Sequence, residues 1–277
     1  MIDSEEKEEK EMSFLDHLEE LRWHLIRAAA SIFVFALIAF VSKDFVWDVL
    51  ILGPSRPDFW SYRALCDLGA AINSDILCIE ALPFTLQSRE MTGQFTMHIT
   101  SSFVIGLICA FPYAFWEFWR FIGPGLYPTE RNMTRGAVFF VSILFIAGVL
   151  FGYFIVSPMS INFLANYQVS ATILNEFDIK SYVSTLSMLV LACGIMFQLP
   201  IVVYFLSEAG FVTPAIMKQY RRHAIVVILI ISAILTPPEV ISQILMSFPM
   251  LFLYEISIYI SGIVLRNKRK ALIEQDE

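Results

Sequence analysis

The chain has 277 residues, of which 57% are hydrophobic and only 16% charged, and its net charge is −7. An ordinary soluble domain carries about 25% charge, so this composition, with a mean hydropathy of +0.66, indicates an integral membrane protein of the helical kind. Disorder, a collagen-like repeat and a nucleic-acid binder are excluded, because an acidic chain offers no basic face to a phosphate backbone.

Residues 1–12 hold six acids between Asp3 and Glu11. They are expected to form a disordered acidic tail. A secretory leader begins with positive charge, so none is expected here. Ser13 followed by Asp16 reads as a capping-box-like start. Phe14, Leu18, Leu21 and Leu25 then recur at helical spacing. They predict an amphipathic helix that runs into the first span.

A single six-helix membrane domain is predicted over residues 13–265, with spans at about 25–41, 95–116, 136–156, 182–206, 224–235 and 240–265. A span needs about 20 apolar residues to cross about 30 Å of hydrocarbon. The fifth has only 12, so it must thin the bilayer or borrow length from Tyr220 and the arginines before it. The runs are solidly apolar, whereas barrel strands alternate.

Between the first two spans lies a long loop, 44–92. Its pieces 45–52 and 77–86 are apolar enough to predict short helices on the membrane surface. Cys66 and Cys78, in the same loop, are expected to face an oxidising compartment. A disulfide is favoured there over two packed thiols. Six spans place both termini on one side. That side then carries 14 of the 19 Lys and Arg, including Arg120, Arg131, Arg221, Arg222 and the cluster from Arg266 to Lys270. By the positive-inside rule the termini are cytoplasmic. Residues 266–277 read as a basic, then acidic, cytoplasmic tail, whose cluster from Arg266 to Lys270 is expected to contact membrane lipid as a topology anchor at the headgroups.

Catalytic chemistry is not in evidence. No phosphate-cradling Gly-x-x-x-x-Gly-Lys motif and no Gly-x-Ser-x-Gly occurs. His17, His24, His98 and His223 are scattered without metal-ligand spacing. No cofactor, no metal and no enzymatic activity is expected.

Three groups of polar residues stand out. Glu19, Glu20 and Arg22 lie at the membrane entry of the first helix; Glu19 and Arg22 would equally make an ordinary i, i+3 pair. Glu117, Arg120 and Glu130 are embedded in the aromatic stretch from Phe111 to Arg131. An aromatic belt explains the rings there but not the acids. Glu130 could serve the dipole of the third helix, or could receive a guanidinium through bidentate hydrogen bonds. Within or beside the later spans lie Gln198, Glu239 and Glu255, candidates for intramembrane polar or partner contacts. Gln198 would equally bond across helices as a structural group.

Four blocks in order carry a resemblance. These are Phe14-Leu-Asp-His-Leu-Glu-Glu-Leu-Arg22, Phe121-Ile-Gly-Pro-Gly-Leu-Tyr-Pro-Thr-Glu-Arg131, Leu235-Thr-Pro-Pro-Glu-Val-Ile-Ser-Gln243 and Phe248-Pro-Met-Leu-Phe-Leu-Tyr-Glu255. They resemble the TatC family, the multi-spanning receptors of the twin-arginine translocase. The resemblance implies a curved, glove-shaped bundle in the bacterial inner membrane. It implies binding of the twin-arginine signal peptides of folded precursors at the cytoplasmic face, through Glu20, Phe121 and Glu130. It further implies partners, the single-span TatA and TatB-type subunits, in a multimeric complex driven by proton-motive force. Gln198 falls where the family carries Glu or Gln, and Glu239 where it carries an acid after Pro-Pro. Glu117 departs from the family, which often has Gln there. The alternatives are a small secondary transporter, which would need inverted repeats, and a membrane scaffold that moves no cargo.

Overall fold

The structure, a computed structural model, describes residues 14–71, 78–79, 81–122, 134–170, 172–236 and 240–275. Helix α1 spans Phe14–Val41 and α3 spans Gly93–Ile122. Helix α4, Thr134–Phe151, passes through a π-helical turn, Gly152–Val156, directly into α5, Ser157–Asn166. Helix α6, Ile179–Met196, is separated by a single turn from α7, Leu199–Glu208. The short α8, Pro214–Gln219, leads to α9, Arg221–Leu235, and the long α10 covers Val240–Gln275.

Among the described residues, five helical stretches are long and apolar enough to cross a membrane: Glu19–Val41, Gly93–Phe121, Val138–Asn166, Ile179–Glu208 and Gln243–Arg266. The expected fifth span lies in α9. It has borrowed length at its start, as far as Arg221, and reaches 15 residues. At 1.5 Å per residue that is about 22 Å, still short of a full hydrocarbon core. Helix α10 continues ten residues beyond the expected span end at Leu265. Residues 266–275 contain no Gly or Pro, and most are good helix formers.

The antiparallel pair α1 and α3 shares the most extensive helix–helix contact. A small residue makes this possible. A Cβ at Gly106 would lie 2.6 Å from the backbone nitrogen of Ala36, so the two backbones approach as only glycine permits. Helices α4 and α6 meet in the same way: a Cβ at Gly148 would lie 2.5 Å from the carbonyl oxygen of Cys193. Stacking of Phe111 on the buried Phe145, with centroids 3.6 Å apart, fastens α3 to α4. Helices α7 and α10 are linked by the Ser207 hydroxyl, which donates to Ser261 at 2.8 Å.

The 44–92 segment is more ordered than a loop. Its first apolar piece forms a π-helical turn, Phe45–Ile51, as a short helix was expected there. The second does not among its described residues: 78–79 and 81–84 are irregular and Thr85–Gln87 is a strand, β1. This strand pairs in parallel with β2, Glu176–Asp178. Proline at position 83 works against a helix here, and the partner lies about 90 residues away. A helix not foreseen, α2, covers Trp60–Ala71.

Three phenols bind this end together. Tyr62 donates to the carbonyls of Pro54 and Pro158, Tyr153 to that of Leu50, and Tyr182 to that of Ile51. The Leu50 and Ile51 carbonyls lie at the end of the Phe45–Ile51 turn, where intrahelical partners run out. Burial pushes the Tyr62 phenol well above its ordinary range, so the hydroxyl stays a donor.

Cys66 and Cys78 are joined as a disulfide, with Cα atoms 4.2 Å apart. On the chain-entropy estimate a loop of this length is stabilised by roughly 3 kcal/mol. Thiol labelling without reductant is therefore expected to leave both residues unmodified, and Cys66→Ser to lower the melting temperature. Modification of both cysteines in untreated protein would contradict the bond.

Candidate functional site

At the end of the bundle where α1 begins and α3 finishes, the two helices enclose a polar cluster in an otherwise apolar contact. Glu117 is 1% exposed. Its Oε2 lies 2.6 Å from Nδ1 of His24, and its Oε1 accepts a 2.8 Å hydrogen bond from the Tyr113 hydroxyl. Arg27, half exposed, approaches the same carboxylate at 3.8 Å. The cluster follows from helical spacing. Tyr113 and Glu117 are one turn apart on α3, and His24 is placed opposite by the antiparallel crossing. A buried carboxylate is costly unless its oxygens are satisfied; here both are.

The cluster positions the expected site residues. Glu20 lies one turn before His24, about 6 Å toward the start of α1. Phe121 lies one turn after Glu117, toward the end of α3. The rings of His24 and Phe121 are 6.4 Å apart. Glu20 and Phe121, both half-buried, thus occupy adjacent faces at one rim. Glu19 and Arg22 are exposed beside them. Glu130, the third residue of the expected site, lies outside the described residues, as does Glu239.

Glu117, expected as a third, accessory acid near the site, is buried against α1. The sequence signal for this was the Tyr113–Glu117 spacing together with His24, whose role no motif disclosed. The aromatic stretch also divides. Trp119 is buried and packs on Phe205 of α7 with centroids 4.8 Å apart. Trp116 is exposed and carries the Arg120 guanidinium 5.0 Å above its ring, a cation–π contact. Only part of the stretch can therefore belong to an interfacial belt.

The remaining polar candidates are not gathered at this rim. Gln198 occupies the break between α6 and α7. Its Nε2 donates to the Val141 carbonyl at 3.2 Å, while its buried Oε1 has no hydrogen-bond partner among the described residues. Glu255, half exposed on α10, accepts a 2.7 Å hydrogen bond from Arg221 at the start of α9. Among the described residues, no three His, Cys, Asp or Glu side chains converge as a metal site would require.

Comparison with known proteins gives this geometry a context. The TatC family profile, described as Sec-independent protein translocase protein, matches residues 16–249. The Sec-independent protein translocase protein TatC of Blattabacterium sp. subsp. Periplaneta americana (strain BPLAN) is 37% identical over 94% of this chain and 99% of its own length. TatCy of Bacillus subtilis (strain 168) is 30% identical over 94% of this chain and 93% of its own. A solved structure of a twin arginine translocase receptor, TatC, superposes with a TM-score of 0.68 at 32% identity, covering 90% of this chain and 99% of that one. Matches of this length, with the described membrane helices, show that the chain belongs to the TatC family of Sec-independent protein translocase proteins.

Proposed function

We propose that this inner-membrane protein is the receptor subunit of a twin-arginine translocase, and that it binds the paired arginines of a signal peptide at the rim formed by α1 and α3. It acts as a transport protein, not a catalyst. Glu20 and Glu130 accept hydrogen bonds from the two guanidinium groups, and Phe121 offers a face on which one of them stacks. Glu19 and Arg22 set the charge around the entrance. The termini face the cytoplasm, α9 is a shortened fifth span of six, and the peptide's apolar segment lies along the bundle. Single-span partners with amphipathic helices assemble around the receptor, and proton-motive force drives the folded cargo across.

The observation that carries this reading is the shared rim. An acid and an aromatic ring, about 100 positions apart in the chain, are brought to adjacent helix faces by the His24–Glu117 pair beneath them. Crosslinking purified protein to a twin-arginine precursor tests it. Crosslinks should form near Glu20 and Phe121, and should fall sharply when both arginines of the precursor are replaced by lysine. An ammonium keeps the charge but cannot make the bidentate fork. Equal crosslinking of both precursors would overturn the reading.

Gln198 is proposed as a polar or partner-contacting group within the membrane. A packing role alone would make Gln198→Leu neutral or even stabilising, since replacement removes a buried oxygen that lacks a partner. A polar requirement within the membrane predicts the reverse: export of a twin-arginine reporter falls in Gln198→Leu and persists in Gln198→Glu. Full export by the Leu variant would confine Gln198 to packing.

A further inference from the structure

A second site lies away from this rim. A groove of about 660 Å³ opens between α8, the first turn of α9 and the C-terminal half of α10. Three cations line it, Lys218, Arg221 and Arg266, against a single acid, Glu255. Arg221 is held by Glu255 at 2.7 Å. Lys218 and Arg266 have no ion-pair partner among the described residues, so two positive charges in the groove stay uncompensated. Both side chains are exposed and reach the groove mouth, where an anion can meet them.

The rest of the wall is apolar. Ile258 is buried, and Tyr259 and Ile263 are exposed at 71% and 42%. Arg266 is the last residue of the candidate span Gln243–Arg266. The groove therefore straddles the level at which the hydrocarbon-compatible surface ends and basic side chains begin. A free anion would make no use of the apolar wall, and a bare acyl chain would make none of the cations. One class of molecule satisfies both parts at this depth, an amphiphile with a negative phosphate head. A zwitterionic head would bring its own cation to a groove that already has a surplus.

We propose that the groove binds an anionic phospholipid, its phosphate held by Lys218 and Arg266 with support from Arg221, and an acyl chain lying along Tyr259 and Ile263. The site is independent of signal-peptide binding, because its residues belong to α8, α9 and α10.

The test is native mass spectrometry of the full chain, delipidated in neutral detergent and titrated with phosphatidylglycerol, phosphatidylcholine or inorganic phosphate. Phosphatidylglycerol should bind more tightly than phosphatidylcholine. The double variant Lys218→Gln/Arg266→Gln should weaken phosphatidylglycerol binding by roughly 30-fold, from the usual contribution of a basic side chain at an anionic membrane surface. Arg56→Gln, at the other end of the bundle, should have no effect. If the double variant is poorly folded, each single variant should show a loss of about 5-fold. Equal binding of the two lipids, or undiminished phosphatidylglycerol binding by folded variants, would overturn the proposal. Inorganic phosphate binding as tightly as the lipid would assign the groove to a free anion and overturn the lipid source. Loss of a co-purifying single-span protein from the variants, with phosphatidylglycerol binding unchanged, would also overturn it and make the groove a protein contact.

Discussion

Glu117→Ala is expected to destabilise the folded protein by about 1–3 kcal/mol, the usual cost of leaving a buried hydrogen-bonding group, here the His24 ring, without its partner. The substitution would leave the His24 ring and the Tyr113 hydroxyl facing each other's empty site in the α1–α3 contact, both previously bonded to the lost carboxylate. Glu117→Gln should be far milder. Its amide oxygen still accepts from Tyr113, and its amide nitrogen can donate to a neutral His24. What it loses is the Arg27 contact at 3.8 Å, which is half exposed and worth little. Thermal melting of the detergent-purified variants, followed by tryptophan fluorescence, measures the difference. If Ala and Gln variants melt alike, the cluster does not fasten α1 to α3. A readout beyond stability is available too. Because Glu20 is positioned through His24, peptide affinity should fall in folded Glu117→Ala and survive in Glu117→Gln.

Glu130→Ala is expected to weaken binding of a twin-arginine signal peptide toward the upper end of a 10- to 150-fold range, and Glu130→Gln toward the lower end. Hydrogen bonds between a guanidinium and a carboxylate are charge-assisted and contribute about 1.5–3 kcal/mol each, which converts to that range. Gln keeps the shape and part of the acceptor capacity but not the charge. The competing role, in which Glu130 serves the dipole at the start of the third membrane helix, predicts lower stability with unchanged affinity. Peptide titration of folded Glu130→Gln decides the matter. Wild-type affinity together with a lowered melting temperature would show that Glu130 does not read the arginines. The same titration on Glu20→Gln should show a comparable loss.

Sequence periodicity was most informative where the apolar runs were longest. The runs at 25–41, 95–116 and 240–265 fall within α1, α3 and α10, because an uninterrupted apolar stretch of that length has no other way to satisfy its backbone in lipid. Boundaries were less legible. The expected span 182–206 is interrupted at Phe197–Gln198, just before Pro200, where α6 gives way to α7. Hydropathy averages over such a break. The β1–β2 pair was not readable at all: each strand has three residues, and long-range pairing leaves no local period. At the site, resemblance alone points to Glu20 and Phe121, and the reason for their proximity lies in the α1–α3 crossing. A buried His–Glu pair depends on how two helices cross, and neither helix carries that information alone.

The three phenol contacts at the far end of the bundle divide the molecule by rate of opening. Tyr62, Tyr153 and Tyr182 reach across from α2, the π-helical turn and α6 to carbonyls between Leu50 and Pro158. Opening any one segment there therefore requires breaking bonds to the others. Amide exchange in deuterium oxide should accordingly be slow and cooperative over residues 46–55, although much of that stretch lies outside regular α-helix. The first turns of α1 before His24 should exchange quickly. The phenol-bound segments therefore open as one unit, whereas the first turns of α1 can fray on their own.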